Sequence, residues 1–202
     1  MATVGRRQRN ARGQGSRLRS EIVTAAMRLI DAGDGPLTLR GIAREAQIAS
    51  PSIYGHFSYL GQIDLELIRT CYDGLISQIQ TALTGVDDPV ERLQVTCEAY
   101  LAYGAAHPRR YALLFQAERD QVERAAVGER GSAALQTLVD AIEACQAAGR
   151  AEGTDPYHDA VAVWSAIHGL TTLRSNRPHF EQLHDPEITR SVVHRLARIA
   201  PT

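Results

Sequence analysis

Not one of the 22 basic residues is a lysine, so every one is an arginine, a bias of the kind a GC-rich genome imposes. Cysteine is scarce too. Cys71, Cys97 and Cys145 lie far apart, each inside an apolar helical pattern, which predicts core packing and excludes a disulfide framework. No apolar run approaches the roughly twenty residues of a membrane span. The arginine-rich N-terminus also lacks the apolar block of a signal peptide, so a cytoplasmic protein is expected. His158, His168, His179, His184 and His194 show no pair four apart, and there is no Cys-x-x-Cys, so a metal site is not expected. Glycine-rich phosphate loops, nucleophile elbows and suggestively spaced carboxylate pairs are absent as well. No catalytic residue, enzymatic activity or cofactor is therefore expected.

What is present is helical. The chain has 202 residues, 44% of them apolar, enough for one large domain or a small one beside a larger one. The net charge of −1 is unevenly spread. Residues 1–70 hold ten Arg against six acids, and residues 71–202 hold twelve Arg against seventeen. The N-terminal part thus faces polyanions better. Residues 1–15, with Arg6, Arg7, Arg9 and Arg12 and no apolar period, read as a disordered basic arm, which either enters a minor groove or stays solvated.

Apolar residues recur at helical spacing through the rest. Ser16–Asp31 forms a first helix, and Ile63 to Leu83 line a long one. Val90–Gly104 and Arg109–Phe115 follow. Residues 116–131 are charged and weakly periodic, with Gly128 and Gly131 as breaks, which predicts a loop or a poorly packed short helix. Ala133–Arg150, Tyr157–Arg174 and a last helix from Pro186 to Ile199 complete the pattern. Nothing alternates like a strand, so the expected fold is all-α: a three-helix N-terminal domain over 16–60 and a larger helical bundle over 61–202.

The most specific stretch is 38–57, TLRGIAREAQIASPSIYGHF. Leu39, Ile42, Ala43 and Ala46 share one side of a short helix with Thr38 as its N-cap. Pro51 suits the first turn of a second helix. That helix turns Ile53 and Phe57 inward and Ser50, Ser52, Tyr54, Gly55 and His56 outward, the pattern of a helix-turn-helix.

The run T-L-R-x-I-A-R-E-A-x-I-x-x-x-x-I-Y-x-H-F, between one helix and a long one, resembles the DNA-binding end of the tetracycline-repressor (TetR) family over about residues 16–70. The resemblance implies a second motif helix lying in the major groove of duplex DNA. Thr38 and Arg40 would then open the first motif helix, Ser50 and Ser52 the second, with Tyr54, Gly55 and His56 beside the backbone. Arginine can pair with a guanine edge, hydroxyls with phosphate, and tyrosine with sugar and phosphate. Three positions depart from the family: Gln47 where a turn glycine is usual, Ala49 where serine is common, and Leu60 where a phosphate-binding lysine is often found.

A second motif, Trp164-Ser-Ala-Ile-His168-Gly169, joins Tyr100…His107-Pro108…Tyr111…Phe115 and resembles the ligand-binding half of a TetR subgroup named for its W…HG signature. Tyr100, Tyr103, Phe115, Trp164 and His168 are the expected ligand-binding residues, lining an aromatic cavity in which His168 is either the ligand's polar handle or a satisfied core histidine. Gly169 lets another helix approach. The two C-terminal helices carry more apolar residues than one face needs, which predicts a homodimer. The reading is a transcriptional regulator, released from near-palindromic operator DNA by a small-molecule effector. The alternative is an all-helical ligand-binding protein or enzyme with a vestigial helix-turn-helix.

Overall fold

The computed structural model describes residues 15–33, 35–115, 121–177 and 179–201. Helices are α1 (Gly15–Ala32), α2 (Leu39–Glu45), α3 (Leu60–Ala82), α4 (Pro89–Ala106), α5 (Pro108–Leu114), α6 (Gln121–Ala147), α7 (Pro156–Asn176) and α8 (Pro186–Leu196), with short 3₁₀ helices at Ser50–Gly55 and Glu181–His184. The all-α expectation holds. Among the described residues the extended pairing is one isolated bridge, Ala151 with Ile199, and no helix is long and apolar enough to cross a membrane. The basic arm lies outside the described residues.

Local chemistry starts these helices where the sequence indicates. Thr38 Oγ1 accepts the Gly41 amide at 3.1 Å, capping α2. Three Asp-Pro pairs repeat the device: Asp88, Asp155 and Asp185 accept first-turn amides of α4, α7 and α8, while the following proline occupies a position whose N–H would be unpaired anyway. The amide of Glu91, above all, holds the Asp88 carboxyl below the usual carboxylate range.

Contacts divide the chain into two compact units, up to Thr70 and from Cys71 onward. In the first, Ile22, Ala25 and Ala26 of α1 are buried with Ile42 and Ala43 of α2, Ile53 and Phe57 of the motif, and Ile63 and Leu67 of α3. In the second, α4, α6 and α7 pack against one another, and α8 packs on α4 and α7. Cys71, Cys97 and Cys145 are buried, as their settings predict, and form no disulfide among the described residues. Burial pushes the Cys97 thiol up to about 12.

Two expectations are corrected here. Gly128 and Gly131 do not break the chain, because α6 runs unbroken from Gln121 to Ala147. Gly131 instead sits against a ring: a Cβ there would lie 3.3 Å from the Tyr72 hydroxyl, so its glycine serves close approach. Residues 116–120 lie outside the described residues. The last helix ends at Leu196, not Ile199, since Arg198 turns to φ 53° and residues 198–200 exchange backbone hydrogen bonds with 150–152.

Gln47, at the position where the resembled family usually has a turn glycine, takes φ 56°. The left-handed region costs a side-chain-bearing residue about 1–2 kcal/mol, against about 0.5–1 kcal/mol of extra chain entropy for glycine. Gln47→Gly is therefore expected to raise the unfolding free energy by up to about 1 kcal/mol, seen as a higher denaturant midpoint. A lower midpoint would show that the Gln47 side chain supports the turn.

Candidate nucleic-acid interface and effector site

The helix-turn-helix presents the polar face its sequence implies. Thr38, Arg40, Ser52, Tyr54 and Gly55 are exposed, Ser50 and His56 half-buried, and Ile53 and Phe57 fully inside. The second motif helix is a 3₁₀ helix, capped by the His56 amide donating to the Ile53 carbonyl at 2.8 Å. Tyr54 is 59% exposed, a large aromatic ring held away from any core. Arg40 makes no ion pair among the described residues, whereas nearby Arg28 is bound to Glu45 at 2.7 Å. A cation without a protein partner beside exposed hydroxyls and a tyrosine is chemically suited to phosphate and base edges.

Sequence reasoning missed two residues of this surface. Tyr59 is 48% exposed just beyond the motif, and Arg44 is exposed in the last turn of α2. The signal was available, since Arg44 stands four positions after Arg40 and so shares its helix side.

The aromatic site of the second unit is a hydrogen-bonded chain. The Tyr100 and Tyr111 hydroxyls are 2.9 Å apart, and the Tyr111 hydroxyl lies 2.6 Å from His168 Nδ1. Around them, the Phe115 ring centroid is 4.3 Å from His168 and 6.4 Å from Trp164. Burial lowers the His168 pKa, favouring the neutral ring, and raises those of Tyr100 and Tyr111, keeping both phenols protonated. With a neutral imidazole we assign Tyr111 as donor to His168 Nδ1 and Tyr100 as donor to Tyr111, which gives each hydroxyl hydrogen an acceptor and leaves the imidazole's proton on Nε2.

The sequence candidates therefore separate. Tyr100, Phe115, Trp164 and His168 come together with Tyr111, which the candidate set omitted although the motif contained it. Tyr103 goes elsewhere: its hydroxyl donates to the Cys71 carbonyl at 2.9 Å, and its ring lies edge-on to His107. His168 Nδ1 has a protein partner, as a satisfied core histidine does. Next to Tyr100 and Trp164, an apolar cavity lined by Leu75, Ile79, Thr96, Ala134, Leu138 and Ile167 measures about 20 Å³. That is room for about one water, so anything larger requires the helices to part.

Comparison with known proteins agrees with this picture. Residues 93–199, more than half of the chain, match the family described as tetracyclin repressor-like, C-terminal domain. The HTH-type transcriptional activator FasR of Mycolicibacterium smegmatis is 26% identical over 138 residues, 68% of this chain. The chain spans only 62% of FasR's length, so it covers less than two thirds of that relative. Among solved structures, a Rhodococcus sp. RHA1 protein of unknown function superposes with TM-score 0.78 at 22% identity, covering 91% of this chain and 96% of that one. The transcriptional regulator FadR from Bacillus subtilis, in complex with stearoyl-CoA, does so with TM-score 0.71 at 19% identity over 88% and 97%. Taken with the helix-turn-helix and the helical bundle, the match over residues 93–199 shows that this chain belongs to the tetracycline-repressor family of transcriptional regulators.

Proposed function

We propose that this chain binds operator DNA through Thr38, Arg40, Ser50, Ser52, Tyr54, Gly55 and His56, and that a small molecule bound in its second unit releases it. The observation that carries the reading is the motif's inside-out division: Ile53 and Phe57 are buried to 0% and 1% exposure while Tyr54 between them is 59% exposed. A hairpin serving only the core has no use for that ring on its outer side. Such a regulator works in the cytoplasm.

The effector has an apolar body and few polar groups, which suits the lining of the cavity beside Tyr100 and Trp164. The stearoyl chain of the stearoyl-CoA in the similar FadR structure is an apolar body of that kind. The small size of the cavity supports release by population shift, the effector favouring a conformation with the helices parted. Two copies act together. On α7, a Cβ at Gly169 would meet nothing within 4 Å and Leu173 is 47% exposed, so a second protomer's helix has close access there. A dimer would read two half-sites about 34–36 Å apart, or a multiple of that spacing.

Footprinting on duplex fragments retained from the chain's own genome tests the reading. Two symmetric half-sites are expected, with affinity falling linearly in log salt. Arg40→Ala should cost about 1–3 kcal/mol of affinity and relax preference at one base pair, and Tyr54→Ala should weaken binding, both at unchanged melting temperature. Equal affinity for retained and scrambled duplexes would overturn the proposal and favour a vestigial motif.

A further inference from the structure

A heavily used charged side chain of the first unit lies outside the motif. Arg19 of α1 donates through one guanidinium nitrogen to the His56 carbonyl at 2.7 Å and through the other to Glu66 Oε1 of α3, also at 2.7 Å. Its guanidinium carbon stands 4.1 Å from the centre of the Phe57 ring. Glu66 Oε1 receives Arg69 as well, at 3.2 Å. One planar fork thus holds three things: the carbonyl at the end of the 3₁₀ helix, the aromatic ring after it, and a carboxylate of the following helix.

We propose that Arg19 is a positioning residue for DNA reading, setting the angle at which the 3₁₀ helix Ser50–Gly55 is presented. The proposal rests on the DNA-binding reading above. Its logic is geometric. A helix of six residues has too few internal hydrogen bonds to hold its own direction, and its terminal carbonyls need external donors. Arg19 supplies one such donor at His56 and covers Phe57, the anchor of the same turn. Glu66 keeps the fork in plane while its other nitrogen serves His56. Tyr54 and Ser52 lie within four residues of the held carbonyl, so a loosened end moves them first.

A surface ion pair alone would not do this, because exposed pairs are weak and tolerate lysine for arginine. Lysine offers one point charge and can satisfy Glu66 or His56 but not both in the plane of a fork. The two accounts therefore rank two conservative variants oppositely. Arg19→Lys keeps the ion pair and loses the fork and the ring contact, whereas Glu66→Gln keeps both contacts to the motif and loses the ion pair.

The experiment uses the full chain. Amide hydrogen exchange at His56 and Phe57 is measured without DNA. Affinity is measured for the tightest retained genomic fragment against a scrambled duplex, over a range of salt. Arg19→Lys is expected to speed exchange at His56 and Phe57 about tenfold and to lower the ratio of specific to scrambled affinity about tenfold. In Arg19→Gln, which removes the charge, the salt slope should be unchanged, since Arg19 is turned to protein groups and not to phosphate. Glu66→Gln should show the smaller effect on both. A larger effect in Glu66→Gln than in Arg19→Lys would overturn the proposal in favour of a simple tether. So would a salt slope smaller by about one in the charge-removing variant Arg19→Gln with exchange unaltered, which would make Arg19 a phosphate contact. If the wild type itself fails to discriminate duplexes, the DNA-binding reading falls. Fast exchange in Arg19→Lys would then still uphold the clamp, and unchanged exchange would end it.

Discussion

Gly104→Ala is expected to destabilise the chain by about 3 kcal/mol, the upper end of the usual overpacking range, although the same exchange in an open helix position stabilises by about 1 kcal/mol. Gly104 is buried in α4 where α7 crosses it. A Cβ there would collide with Cγ2 of Thr171 and lie 3.3 Å from Tyr111 Cδ2. Neither neighbour can retreat cheaply. Thr171 is held by its hydroxyl donating to the Ile167 carbonyl at 2.7 Å, and Tyr111 by its hydrogen bonds to Tyr100 and His168. Thr171→Ser removes the colliding methyl but keeps the hydroxyl, so Gly104→Ala with Thr171→Ser should recover most of the loss. Gly128→Ala in α6, where a Cβ meets nothing within 4 Å, is the control and should stabilise by roughly 0.5–1 kcal/mol. Urea denaturation of the four proteins decides the matter. A Gly104→Ala variant as stable as the Gly128→Ala control would show that α4 and α7 pack less closely than described.

His168→Phe is expected to cost about 1–3 kcal/mol of stability, the price of stranding a buried hydroxyl, whether or not an effector is present. The ring's shape is retained, so the loss is chiefly the missing acceptor. Tyr100 and Tyr111 are each only 5% exposed, and without His168 Nδ1 the two hydroxyls have one bond between them and one hydrogen left over. Tyr111→Phe should cost a comparable amount by orphaning Tyr100 and the imidazole. The double variant should cost clearly less than the two single losses added, because each single change already breaks the shared bond. Strict additivity would mean that the 2.6 Å contact contributes nothing in solution.

The same histidine carries a pH signature. Its folded pKa is lowered from the ordinary 6.5 by burial, so the folded state prefers it neutral. That contribution is present above about pH 6.5, the unfolded value, and is lost as pH falls through the lower folded value, since the unfolded chain binds the proton first. His194 is lowered in the same sense, by burial and then by Arg190. His168→Phe should therefore flatten the decline in melting temperature below pH 6.5 without abolishing it.

The all-α fold, the order of its helices and the polar face of the helix-turn-helix were legible in the sequence by itself, because they depend on neighbours within one helical turn. Leu39, Ile42, Ala43 and Ala46 define a buried side at a spacing of three to four. Thr38 meets the Gly41 amide three positions on, and each Asp-Pro start is likewise a local event. The expected break at Gly128 and Gly131 failed for the opposite reason. At Gly131 the continuous helix runs close to the hydroxyl of Tyr72, which an added Cβ would approach to 3.3 Å and which is far away in sequence. Only the tertiary structure decided the partner of His168, which is 57 positions from Tyr111, and the place of Tyr103 against Cys71 rather than in the aromatic cluster. Arg19 belongs with these. Its partners lie 37 and 47 positions away, and nothing in its own helix distinguishes it from Arg17, which pairs with Glu21 one turn along. Periodicity tells which side of a helix is buried, but a hydrogen bond needs two groups within about 3 Å. For residues so distant along the chain, that proximity exists only once the helices have packed.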